Sequence, residues 1–200
     1  MMNSQWLMRC AMALVLLLAH FHAQAAMQVA GGSGYTLALA EDGSVYAWGS
    51  NTFGNLGLGD TVDRKFPTKI TGLTGVTAIS TRGSTSYALK SDGTVWAWGS
   101  NSSGQVGDNT TVNRLTPTAV TGGHTSFKAI AAGSAFVLAL KADGSVWAWG
   151  ANSQGQLGQV TANSAVTAPI QVPGLSGITS IAAGGAFGVA NAAATAQVHQ

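Results

Sequence analysis

Charge is scarce in this chain. Only 8% of its 200 residues are Asp, Glu, Lys or Arg, against roughly 25% in an average soluble protein. The formal net charge is +2, and Lys and Arg are scattered without a basic run. The positive field that collects nucleic acid is therefore missing. Cysteine is scarcer still. Cys10 is the only one, and it sits in an N-terminal apolar stretch with His20 and His22. Without that stretch the chain has no thiol, which excludes disulfides, thiolate metal sites and a cysteine nucleophile. His124 and His199 are the remaining histidines, and neither has a partner nearby in sequence. No His-Glu-x-x-His, phosphate loop, Gly-x-Ser-x-Gly or calcium loop occurs. No catalytic, cofactor or metal constellation is legible, so the expectation is a protein that is not an enzyme.

Long hydrophobic runs are missing too. The apolar stretch "CAMALVLLLAHFHAQA" falls short of the ~20 residues a spanning helix needs. It ends in Ala23-Gln24-Ala25, an A-x-A cleavage pattern. Residues 1–25 read as a secretory signal, with a membrane anchor as the alternative. The mature chain, 26–200, is expected outside the cytoplasm, secreted or periplasmic, with no membrane association after cleavage.

What is abundant is glycine, 27 residues, within a chain that is 46% apolar. That content supports a core between many tight turns, not disorder. The glycines recur in phase. "DGSVYAWGSNTFGNLG" begins at Asp42, "DGTVWAWGSNSSGQVG" at Asp92 and "DGSVWAWGANSQGQLG" at Asp143. A period of about fifty residues lies in the range of propeller blades. Pro67, Pro117 and Pro169 keep step, each ahead of an aliphatic residue: Ile70, Val120 and Val172. A fourth opening, "IAAGGAFGVAN", starts at Ile181 without reaching a fourth Asp-Gly. Units of about 27–75, 76–126, 127–177 and a partial 178–200 follow.

Within a unit, Val45-Tyr46-Ala47-Trp48 and its counterparts favour β structure. Alternation puts the aromatics on one face and Val and Ala on the other. The apolar run before each Asp-Gly supplies a second strand, and Asp-Gly tolerates the positive φ of a hairpin turn. A small sheet with two apolar faces must be covered twice, and radial stacking does this. The expected fold is all-β: an incomplete β-propeller of four-stranded, roughly fifty-residue blades. Asp42, Asp92 and Asp143 read as turn residues. Asn51, Asn101 and Asn152 read as loop braces, and Trp48, Trp98 and Trp149 as core between blades.

These residues resemble the regulator of chromosome condensation repeats, also called alpha-tubulin suppressor-like, here of a bacterial secreted type with about three and a half units. The likeness runs from about Met27 to Val189. It rests on the aliphatic-Ala-Ala-Gly opening, the "LAL" strand, Asp-Gly, "VYAWG", Asn, "GQLG" and the later Pro. It departs where the family often has His and this chain has Tyr35, Thr85, Phe136 and Phe187. Arg82 also replaces the Gly32, Gly133 and Gly184 of the other openings.

The resemblance implies a binding or scaffold module working through loops held by rigid blades. The loops differing most between copies are 58–66 (LGDTVDRKF), 108–116 (DNTTVNRLT) and 159–168 (QVTANSAVTA). Candidate contact residues are Asp63, Arg64, Lys65, Asn109, Asn113, Arg114 and Asn163. The expected partner is a protein or a surface polysaccharide, with no nucleic acid and no cofactor. Self-association or completion by a partner chain is expected from the partial fourth unit. The alternatives are guanine-nucleotide exchange with chromatin binding, as in the founding family member, and an inactive fragment that needs a partner.

Overall fold

The computed structural model describes residues 27–161 and 164–192. The signal read over 1–25, together with Asn163 and His199, lies outside the described residues. All regular structure among the described residues is β. Strands β1 (Gln28–Gly31), β2 (Tyr35–Leu39), β3 (Val45–Gly49) and β4 (Arg64–Lys69) form one antiparallel sheet in chain order. Strands β5 (Val76–Arg82), β6 (Thr85–Lys90), β7 (Val95–Gly99) and β8 (Arg114–Ala119) form a second. A third is built from β9 (Phe127–Ala132), β10 (Phe136–Lys141), β11 (Val146–Ala151) and β12 (Ala165–Gln171). The pair β13 (Ile178–Ala183) and β14 (Gly188–Ala192) opens a fourth. The first strands lie against one another, β1 on β5, β5 on β9 and β9 on β13. This is a partial β-propeller with three full blades.

The core lies between sheets. One cluster joins Leu37, Leu39, Val45 and Leu56 of the first blade to Val76, Ile79, Ala88 and Trp98 of the second. The next joins Tyr87, Val95 and Val106 to Phe127, Val137 and Trp149. A third joins Leu138, Val146 and Leu157 to Ile178, with Ala190 beside it. Period-two alternation explains the pattern. The first and second blades each send Leu and Val forward and receive the next blade's Trp on that face.

Each Asp-Gly hairpin has one positive φ instead of two. Gly43, Gly93 and Gly144 have φ near +80° (77°, 75° and 83°). Gly43 N–H donates to the Ala40 carbonyl at 3.0 Å, closing a turn that ends in this left-handed glycine. Asp42 serves as an acceptor: its carboxylate takes the Ser44 N–H at 2.9 Å and the Ser44 hydroxyl at 3.0 Å. Asp92 holds Thr94 and Asp143 holds Ser145 in the same way. The aspartates are turn residues, as their position before Gly implies.

Arg82 also has a structural explanation. A Cβ on Gly32 would lie 2.0 Å from the Tyr35 ring, and one on Gly133 would lie 2.0 Å from the Phe136 ring. Gly184 stands likewise under Phe187. The second unit has Thr85 in place of the ring, so a side chain fits at position 82. Pro67, Pro117 and Pro169 fall in β4, β8 and β12, the last strands of their sheets. An outer strand spares an N–H there, and proline discourages further pairing on that edge.

Candidate binding rim

The long connection from the third to the fourth strand of each blade leaves one end of the sheets. The Asp-Gly hairpins lie at the other end. One asparagine braces each long loop, buried at 51 and 101 and half-buried at 152. Asn51 accepts the Leu56 N–H at 2.9 Å through Oδ1, and its Nδ2 donates to the Asp60 and Val62 carbonyls. Asn101 accepts from Val106 and donates to Thr110 and Val112. Asn152 accepts from Leu157 and donates to Gln159 and Thr161. A buried amide can use all its hydrogen-bonding capacity only if the loop adopts one path.

Several candidate contact residues belong to this bracing. Asp63 accepts the Asn51 N–H at 2.8 Å, and Asn113 accepts the Asn101 N–H at 2.9 Å. Arg64 pairs with Asp60 at 2.6 Å and also donates to the Val62 carbonyl. Arg114 pairs with Asp108, whose side chain is nearly buried, and donates to Thr110. Burial pushes the Asp108 carboxyl up, but the Thr110 hydroxyl and the Arg114 guanidinium outweigh it and hold the group below its ordinary range. The Arg64 guanidinium, then the Val62 N–H, lowers Asp60. Asn109 takes a left-handed φ of 64° and joins the next blade: its N–H donates to the Thr167 carbonyl at 2.8 Å. Lys65 is exposed.

Sequence reading missed the apolar tips. Val62 and Val112 stand at the same place in their loops, 62% and 60% exposed. Phe53, Phe66 and Leu115 are exposed as well. Neighbouring loops touch, because Gly59 N–H donates to the Leu115 carbonyl at 2.9 Å. A Cβ on Gly54 would meet Leu115 Cδ2 at 2.4 Å. The rim is therefore continuous from the first blade to the second: rigid and polar inside, apolar at its tips. Among the described residues no group of three or more His, Cys, Asp or Glu stands close enough to hold a metal ion.

The hairpin end has a second cluster. Lys141 Nζ lies 4.4 Å from the Trp147 ring centre and 5.4 Å from that of Phe127. The His124 ring leans against Trp147 at 49°, with ring centres 4.3 Å apart. Partial burial, then Lys141, holds its imidazole below the usual pKa. Twenty-odd residues separate His124 from Trp147, so no local pattern joins them, and the isolation read for His124 in sequence does not hold in space.

The tryptophans show how blades lock. Trp98 Nε1 donates to the Asn55 carbonyl of the first blade at 3.0 Å, and Trp149 Nε1 to the Gln105 carbonyl of the second at 3.0 Å. Gly57 and Gly107 lie beneath the rings, where a Cβ would approach Nε1 to 2.7 Å and 2.5 Å. Both indoles are fully buried. Trp48 is only half-buried, because no described blade precedes it, so the shared setting expected for all three holds for two.

The repeating loop, the buried Asn and the Trp on a Gly-x-aliphatic-Gly turn agree with sequence comparison. The profile described as Regulator of chromosome condensation (RCC1) repeat matches residues 42–89, 92–140 and 143–190. This chain belongs to the RCC1 repeat family. A second profile of the same description matches 28–55, 76–105 and 127–156. The chain is 33% identical over 148 residues to the Ultraviolet-B receptor UVR8 of Arabidopsis thaliana, covering 72% of this chain and 33% of the receptor. It is 35% identical over 171 residues to the human E3 ubiquitin-protein ligase HERC2, covering 82% of this chain and 4% of the ligase. Yeast RCC1 (Prp20), solved bound to Kap60, superposes with TM-score 0.71 and 27% identity over 82% of this chain and 41% of that one. Human WBSCR16 gives 0.69 and 27%, over 78% and 42%. The chain thus spans less than half of each of these relatives.

The RCC1 repeat and the blade are out of frame. The match 42–89 takes in β3 and β4 of one sheet and β5 and β6 of the next. One sequence repeat therefore contains a blade-to-blade junction instead of a single blade.

Proposed function

We propose that this chain is a non-catalytic binding module, exported from the cell, that holds a partner protein on its loop rim. The observation behind this reading is the pairing of braced loops with exposed apolar tips. Asn51 and Asn101 fix the loop paths, while Val62, Val112, Phe66 and Leu115 stand in solvent. A pre-ordered rim loses little conformational freedom on binding, and exposed apolar groups rimmed by polar ones suit a protein surface. A surface polysaccharide is the other ligand class, and Phe66 and Phe53 offer it exposed rings, but the tips that recur at one place in successive loops, Val62 and Val112, are aliphatic. Export rests on the A-x-A pattern at Ala23 to Ala25. Among relatives, yeast Prp20 has been solved with Kap60, which supports protein binding as a use of this architecture.

A photo-crosslinking residue placed at Val62 or Val112 tests the reading in the producing cell. A discrete protein adduct is expected from both positions and not from Ser91, at the hairpin end. Equal labelling from Ser91, or a chain recovered from the cytosol with residues 1–25 attached, defeats it.

A further inference from the structure

The connection from the last strand of one blade to the first strand of the next occurs three times, and two copies show what the third has changed. After β4 it reads ITGLTGV from Ile70, and after β12 it reads VPGLSGI from Val172. After β8 it reads VTGGHTSF from Val120, longer by a residue. Leu73 is buried in the first core cluster, and Leu175 packs against the third. His124 stands in the leucine's place in the second connection. The left-handed glycines Gly75 and Gly177 give way to Ser126, which keeps a φ of 68°. That conformation strains a residue with a side chain. This junction alone gives up both a packed leucine and an unstrained turn.

Two cavities flank the altered connection. One, of about 250 Å³, is lined by Lys90, Asp92, Trp96 and, from the connection, Gly123, His124 and Thr125. The other, of about 650 Å³, is lined by Ser126 and Lys128 and again by Lys90 and Asp92. Every wall belongs to the second blade, the third blade or the connection between them.

The walls differ in chemistry. Lys90 Nζ lies 5.2 Å from the centre of the half-buried Trp96 ring. Asp92 uses Oδ1 for both the Thr94 N–H, at 2.9 Å, and the Thr94 hydroxyl, at 2.6 Å, so Oδ2 is left to accept. Partial burial, then Lys141, keeps His124 neutral at pH 7, and a neutral imidazole offers one donor and one acceptor. Lys90 and Lys128 outnumber Asp92, which favours an anionic ligand. A bare anion would leave the carboxylate and the indole unused. A ligand that meets every wall joins a carboxylate, hydroxyl donors and an apolar face in one ring.

We propose that the two cavities bind an acidic oligosaccharide, with one uronic acid ring in the smaller and the following rings along the larger. The ring's carboxylate pairs with Lys90, its hydroxyls bond to Asp92 Oδ2 and His124, and its apolar face lies on Trp96. Lys128 meets the next carboxylate. The site lies at the hairpin end, opposite the loop rim, and does not depend on what the rim holds.

Isothermal titration calorimetry of the full chain with trigalacturonic acid at pH 7 tests this. Saturable binding is expected, roughly tenfold or more tighter than for maltotriose, a neutral sugar of the same linkage, or for citrate. His124→Leu restores the residue of the other two connections, so it should keep the melting temperature and weaken binding about tenfold. Lys90→Gln, which removes no core packing, should weaken it about fivefold or more. No saturation, equal affinity for maltotriose, or parental affinity in both variants overturns the proposal. Citrate binding as tightly as the sugar overturns the ligand class by assigning the site to a bare anion.

Discussion

Replacing Trp98 by alanine tests the idea that blades are held together by their tryptophans. The side chain is fully buried between the first and second blades. Truncating a buried Trp costs about 3–5 kcal/mol, from lost transfer energy and the cavity left behind. The hydrogen bond adds little, because the Asn55 carbonyl still accepts the Ser86 hydroxyl at 2.7 Å. Trp98→Phe keeps most of the bulk and loses the indole donor, so it should cost roughly 1–2 kcal/mol. Trp48→Ala at the half-buried equivalent should cost about 1–2 kcal/mol. For a domain of this size the Trp98→Ala loss lowers the melting temperature by roughly 6–20 °C. Urea and thermal unfolding followed by far-ultraviolet circular dichroism give all three values. Equal losses at positions 48 and 98 would refute the argument, because the same residue would then be worth the same with and without a preceding blade.

Asn101→Ala leaves the Val106 N–H and the Thr110 and Val112 carbonyls without their partner. A loss of about 2–4 kcal/mol is expected, with faster amide exchange across residues 101–113. The pair Arg82→Gly and Thr85→Phe should be non-additive: Thr85→Phe alone clashes with the side chain at 82, and the double variant recovers stability in an unfolding cycle. Asp42, Asp60, Asp92, Asp108 and Asp143 all have folded pKa values below the ordinary one. Their contribution is present above about pH 4 and is lost as pH falls through the lower folded values. Melting temperatures across pH 2–6 should fall most steeply at the acid end. His124 is also depressed, so the unfolded chain takes up a proton near pH 6.5 before the folded one does. Stability should decline as pH falls below that value, and His124→Gln should flatten the slope.

The blade was legible in the sequence because its period is short and its faces differ chemically. Tyr46 and Trp48 alternate with Val45 and Ala47, and that is enough to place a two-faced strand. Asn51 and Asp42 were legible as structural residues because they hold one offset in three copies. The rim was less legible. Arg64 and Asp63 stand in a loop that varies between copies, and their partners, Asp60 and the Asn51 N–H, are fixed by loop closure, which no periodicity records. The exposure of Val62 and Val112 was hidden for the same reason, since an apolar residue in a loop says nothing of which way it faces. The His124 contact with Trp147 joins two segments across a whole hairpin.

The offset between RCC1 repeat and blade has a consequence for how such arcs lengthen. A duplicated stretch such as 92–140 carries a Trp-bearing strand, the Gly-x-aliphatic-Gly turn of the same blade, and the first two strands of the next, β9 and β10. It keeps together Val95, Ala97 and Val106 of one blade and Phe127, Val137 and Ala139 of the next, which share one core cluster, so a tandem copy brings the apolar side of a native joint with it. A duplication cut at blade boundaries would part these two halves, and its new apolar contact would have to form between separately copied surfaces. A unit copied in the repeat frame thus arrives with the apolar part of one joint already matched, and only the indole-to-carbonyl contact is left to be made with a neighbour.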